Sequence, residues 1–145
     1  MFKLRNSPNV IKLSTHIEMM ANEIKSLVTM EKQRKSKGVT KILDYGLILV
    51  KNFDESMQDE MLASYYVMPK YSKSLQQALR ERDLDQDEVW TLAQILIDCL
   101  RTVHKAGRIY NDMKPENIML GNQTVTLIDF GLCSKYIDPE GNHIS

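Results

Sequence analysis

The stretch Tyr110-Asn111-Asp112-Met113-Lys114-Pro115-Glu116-Asn117, followed at short range by Ile128-Asp129-Phe130-Gly131, constrains this chain more than any other. It gathers a carboxylate, a lysine two residues on, an amide five residues on, and a second carboxylate before Phe-Gly. Phosphoryl transfer needs these groups: one to orient a hydroxyl, a cation for the phosphate, and hard oxygens for a metal ion. Singly, the parts are ordinary. Asp-Phe-Gly is a plausible turn, and Lys-Pro-Glu-Asn reads equally as a surface loop in which Asp112 and Asn117 make side-chain turns and Phe130 plugs a core. Their co-occurrence in order, between strand-like runs, favours the chemical reading.

At 145 residues the length fits one domain, and 43% hydrophobic with 26% charged residues permits a packed core. Nineteen basic and nineteen acidic side chains cancel, which argues against a general nucleic-acid or membrane-surface binder and leaves room for a local basic patch. Met1 to Val10 lacks a signal-peptide pattern, and no run approaches the ~20 apolar residues of a membrane span, so a cytoplasmic or nuclear location is expected. Of the two cysteines, Cys99 is expected in the core and Cys133 partly exposed, with no disulfide between them. The three histidines are well separated and suggest no metal site.

Asn9 to Leu13 reads as a short strand, on which Lys12 by itself could be no more than a solvated edge charge. Thr15 to about Arg34 reads as a helix, with Thr15 and Glu18 as a capping box and Ile17, Met20, Ile24 and Leu27 as its buried stripe. Lys-rich residues up to Lys37 read as a solvated tail, stopped by Gly38. Val39 to Val50 and Met61 to Met68 are strand-like, separated by a polar loop expected to be mobile. Ser74 caps a short helix to Leu79. Asp85 and Glu88 form a second capping box, opening the longest helix, with Val89, Leu92, Ala93, Leu96, Cys99, Leu100 and Val103 along one stripe, Lys105 at its end and Gly107 as its stop. Ile118 to Leu120 and Val125 to Ile128 read as a hairpin turning at Gly121-Asn122.

The Asp112 to Asn117 and Asp129 to Gly131 motifs resemble the catalytic loop and metal-binding segment of eukaryotic protein kinases, and Lys114 points to the serine/threonine branch. Leu127 to Leu132 with Lys135-Tyr136, Asp138 and His143-Ile144 looks like the casein kinase 1 family. The resemblance covers nearly the whole chain from about Val10. It implies an α+β, protein-kinase-like fold: a partial small lobe of strands plus a regulatory helix over residues 1–68, a hinge at 69–73, and the start of the helical large lobe at 74–145. It implies an ATP- and Mg2+-dependent enzyme that phosphorylates serine or threonine of protein substrates.

On that resemblance Asp112 is the base and Lys114 the cation near the transferred phosphoryl group, while Asn117 and Asp129 bind magnesium. Lys12 reaches the phosphates and is held by Glu23; Glu18 is a rival partner, and pairing of Glu23 with a neighbouring lysine is the plainer alternative. Met68 lies behind the adenine, the backbones of Pro69 and Tyr71 meet its edge, and Met119 is its floor.

Two departures matter. Tyr110-Asn111 stands where kinases commonly have His-Arg, so Tyr110 can still pack on Phe130 but Asn111 brings no guanidinium for a phosphate on the activation loop. No glycine precedes Gly38, so a glycine-rich phosphate loop is missing, and little chain follows Asp-Phe-Gly. An incomplete kinase domain is the leading expectation. A non-catalytic kinase-like module that binds nucleotide or a partner is the alternative, and a small-molecule phosphotransferase the third.

Overall fold

The strand-forming and helix-forming runs assemble, in a computed structural model that describes residues 2–3, 6–51, 60–121 and 123–144, into three small sheets and three α-helices. The largest sheet is antiparallel, with order β1 (Phe2–Lys3), β2 (Asn9–Ser14), β4 (Glu60–Pro69), β3 (Asp44–Lys51). Its register sets Val10 opposite Met68 and Lys12 opposite Tyr66. Because side chains alternate between faces, Val10 and Lys12 share a face with Tyr66 and Met68. The loop expected to be mobile, at 52–59, lies outside the described residues. Val39 to Leu43, expected to be strand, precedes β3; Val39 makes only an isolated bridge to Leu127.

Helix α1 runs Ile17–Lys32, starting later than the Thr15 capping box required. His16 is the N-cap and makes no side-chain cap bond. The Ser14 hydroxyl accepts from the His16 N–H at 3.0 Å and Thr15 O accepts from the Ile17 N–H at 3.0 Å, so Thr15 lies in a turn after β2 rather than at the helix cap. The face turned inward is Met20, Glu23, Ser26, Leu27 and Met30. Ile17 and Ile24 are half-buried, facing an open apolar groove between α1 and the β3–β4 pair.

Helices α2 (Leu75–Glu81) and α3 (Gln86–Lys105) begin with the caps the sequence indicates. Ser74 and Gln77 form a full capping box, as do Asp85 and Glu88, satisfying N–H groups that a helix start leaves free. The stripe on α3 is less covered than its periodicity implies: Cys99 and Val103 are buried, but Val89 is 49% exposed. Gly107, at φ +74°, donates its N–H to His104 O and turns the chain into β6 (Arg108–Ile109).

Strand β6 pairs with β9 (Ser134–Lys135), while β5 (Lys73–Ser74), β7 (Ile118–Leu120) and β8 (Val125–Leu127) form the third sheet. Between them a 3-10 turn at Pro115–Asn117 follows the Asp112 loop. The residues after α1 are stitched to β8: Leu127 N–H donates to Gly38 O at 2.8 Å, and Thr40 N–H to Leu127 O at 2.9 Å. Gly38 is required there, since its φ is +74° and an added Cβ would lie 2.3 Å from Cys99 Sγ. The core joins both sides of the molecule through Leu27, Tyr66, Met68, Val103, Tyr110, Leu127 and Phe130. Cys133, expected to be partly exposed, is buried in it, because the turn after Phe130 folds back against α1. Both cysteines are free. No helix among the described residues is long and apolar enough to cross a membrane.

Candidate active site

Lys12 leaves the middle of β2 on the face bearing Tyr66, and α1 delivers Glu23 against it. Lys12 Nζ lies 2.8 Å from Glu23 Oε2 and 3.1 Å from Asp129 Oδ1, so one ammonium joins two carboxylates from distant parts of the chain. Glu23 is 1% exposed. Its Oε1 also accepts from Tyr66 Oη at 2.9 Å and from the Phe130 N–H at 2.9 Å, so donors from β2, β4 and the Asp-Phe-Gly turn surround the buried charge. Burial, then the Glu23 carboxylate, pushes the Tyr66 phenol far up, so it remains a donor. Glu18, the rival on the same helix, is exposed.

Asp129 holds φ +63°, a left-handed conformation that an aspartate adopts at a cost. The residue before it is anchored, with Ile128 N–H donating to Asn117 O at 3.0 Å, so Asn117 and Asp129 project from neighbouring points of one backbone pairing. Asn117 commits its amide NH2 to Asp112, at 2.8 Å to Oδ2 and 3.1 Å to the backbone oxygen. Lys114 Nζ stands 3.3 Å from Asp112 Oδ1. Tyr110 packs edge-on against Phe130 with ring centroids 4.9 Å apart and donates its hydroxyl to Ile128 O. Burial first, then the charges of Asp129 and Asp112, raises the Tyr110 phenol, which places both carboxylates around one buried ring.

Beside this polar cluster lies a cleft of about 440 Å³ whose lining includes Val10, Met68, Pro69, Tyr71, Met119 and Ile128. Met68 is buried at its back, near Thr40 Oγ1 at 3.6 Å from the sulfur. Among the described residues the Tyr71 N–H meets no acceptor, which leaves a backbone donor at the cleft wall. Val10, Ile128 and Met119 are close in sequence to Lys12, Asp129 and Asn117, so the apolar cleft and the polar cluster adjoin.

The donor set suits a small hard cation. Asp129 offers a carboxylate and Asn117 the oxygen of an amide whose nitrogen is already engaged, and no group of three His, Cys, Asp or Glu side chains forms a cage among the described residues. Magnesium takes few protein oxygens and keeps water ligands, whereas zinc sites are built mainly on Cys and His, with carboxylates as additional ligands.

Sequence reasoning did not single out Tyr66 or Asn22. Tyr66 enters through strand register alone. Asn22 Nδ2 donates to Gly131 O at 3.3 Å and Cys133 O at 2.9 Å, and its only sequence signal is a poor helix former next to Glu23.

A family model described as Protein kinase domain matches residues 64–143, more than half of the chain. Lys12 and Glu23 fall before the matched stretch. The chain is 31% identical over 84 residues to a probable casein kinase I homolog of Encephalitozoon cuniculi, covering 56% of this chain and 26% of the relative. It is 31% identical over 108 residues to a serine/threonine-protein kinase of Saccharomyces cerevisiae, covering 72% and 13%. Mitogen-activated protein kinase 12 of Mus musculus matches at 32% over 88 residues, covering 60% and 24%. The chain thus spans about a quarter or less of the length of these relatives, and similarity of this order is shared across several kinase types.

Proposed function

Because this chain belongs to the protein kinase domain family, we propose that it is part of a serine/threonine protein kinase of the casein kinase 1 type that passes the terminal phosphoryl group of ATP to a hydroxyl of a protein substrate. In this reading residues 1–68 belong to the small lobe, 69–73 to the hinge and 74–145 to the start of the large lobe. The casein kinase 1 type is supported by the residues from Leu127 to Ile144 and by the Encephalitozoon relative.

The observation that carries the reading is Lys12 held between Glu23 and Asp129. Lys12 binds the inner phosphates, with Glu23 fixing its direction. Asp129 and Asn117 hold magnesium, which when bound neutralises charge on the phosphates. Asp112 orients the acceptor hydroxyl and takes its proton as the new O–P bond forms and the bond to the departing diphosphate breaks, a role worth about 10²–10⁴-fold in rate. Lys114 offers its charge to the phosphoryl oxygens. The Pro69 carbonyl and Tyr71 N–H meet the adenine edge, Met68 stands behind it and Met119 beneath. Asn111, which spends its amide on Leu132 O and Ser134 Oγ, leaves no cation there for a phosphorylated activation loop.

A second reading is a non-catalytic nucleotide- or partner-binding module, since Lys12 held between Glu23 and Asp129 serves nucleotide binding whether or not a phosphoryl group is transferred. Thermal unfolding tests nucleotide binding directly. At Mg·ATP about tenfold above Kd, the stabilisation is about 1.4 kcal/mol, or roughly 3–5 °C. Asp129→Ala is expected to abolish this shift; its survival would refute the metal assignment, and no shift in the unaltered chain would refute nucleotide binding itself.

A further inference from the structure

Glu23 and Arg108 are the two charged side chains buried among the described residues. Lys12 answers the first. Arg108, 3% exposed, has no carboxylate within ion-pair distance among the described residues, although burying a guanidinium is costly. Its Nη1 donates instead to Ser26 Oγ at 2.8 Å, and that hydroxyl donates onward to Asn22 O at 2.8 Å. The neighbouring Cys133 does not supply the missing anion, since burial pushes its thiol up and keeps it neutral.

Asn22, Glu23 and Ser26 lie within little more than one turn of α1, and each is tied to a segment flanking Asp129. Glu23 takes the Phe130 N–H, Asn22 donates to Gly131 O and Cys133 O, and Ser26 takes Arg108, whose backbone pairs with Lys135 beyond the same turn. Rotation or withdrawal of α1 that breaks the Arg108 contact also pulls Glu23 away from Lys12. The arrangement uses a charge where an apolar residue would pack at lower cost.

We propose that Arg108 is a positioning residue: through Ser26 it pins α1 in the orientation that keeps Glu23 on Lys12 and on the Phe130 amide, and so sets affinity for the phosphates of a nucleotide without touching it. The inference rests on the nucleotide-binding reading above. Its test compares two ligands, Mg·ATP and adenosine, because adenosine reaches the Met68 to Tyr71 wall but has no phosphates. Arg108→Met is expected to raise the Kd for Mg·ATP about threefold to thirtyfold and leave that for adenosine unchanged, with faster hydrogen exchange at the Phe130 amide. Arg108→Lys, which keeps a donor near Ser26, recovers part of the loss.

Equal weakening of both ligands, or an unchanged Kd for Mg·ATP, overturns the proposal. Lys12→Met separates the two levels of argument. If it fails to weaken Mg·ATP, the nucleotide reading falls and the proposal with it. If it weakens Mg·ATP while Arg108→Met does not, the pinning role alone is lost. Should Arg108→Met not fold, Ser26→Ala removes the acceptor without a change in charge and is judged by the same ratio.

Discussion

Removing the charge of Glu23 gives the sharpest test of the cluster. Its oxygens sit 2.8 and 3.1 Å from Lys12 Nζ. At an effective dielectric of ~20 the attraction is roughly 6 kcal/mol before desolvation, which takes back several kcal/mol. The buried partner is closed to water, but the Lys12 side chain is 23% exposed, so the cost of breaking the pair falls below the 3–5 kcal/mol typical of a fully buried one. In Glu23→Gln one oxygen still accepts from Tyr66 and Phe130, while the new NH2 faces an ammonium. We expect a loss of about 2–3 kcal/mol, read as a lower urea midpoint at unchanged slope. Lys12→Met, which strands the carboxylate with neutral donors, is expected to cost a similar ~2–3 kcal/mol. The double variant should be less damaging than the sum by at least ~1 kcal/mol, the mark of one shared interaction. A single-variant loss below ~0.5 kcal/mol, as for a surface ion pair, or an additive cycle, would refute the account.

Gly38→Ala is expected to cost about 2–4 kcal/mol, from the left-handed backbone and from a Cβ forced to within 2.3 Å of Cys99 Sγ; a urea-unfolding loss under ~1 kcal/mol would show that the segment relaxes freely. At the start of α3, hydrogen bonding from Arg82, then from the Asp85 N–H, holds Glu88 down to about 2 from its ordinary 4.5. A carboxyl depressed in the folded state lends stability above its unfolded value and loses it as acid approaches the folded one. The melting difference between the unaltered chain and Glu88→Gln should therefore be full at pH 6 and shrink between pH 4.5 and 2; a difference that is flat across that window would exclude the coupling.

What could be read without coordinates was local. Both capping boxes involve residues three apart, whose geometry any helix start supplies, and Asp112, Lys114, Asn117 and Asp129 lie within eighteen residues of one another. The Thr15 box failed because Thr15 still lies in the turn after β2 and the helix starts only at Ile17, with His16 as its N-cap, which the pattern of Thr and Glu does not disclose. The preference for Glu23 over Glu18 came from the kinase resemblance, through Leu27 one turn later, and its ring of donors was not legible at all. Tyr66 depends on the β2–β4 register and Phe130 on a contact spanning 107 positions. Arg108 shows the limit most plainly, since an arginine between glycine and isoleucine reads as an exposed strand charge until α1 packs over it.

The stitch between Gly38–Thr40 and Leu127 has a mechanical consequence. It ends two residues short of Asp129. Were the cleft to open about that seam, the β2–β4 side would swing through the larger arc and Asp129 would stay near the pivot. The distance between Lys12 and Asp129, 3.1 Å here, would then gauge how far the cleft had closed.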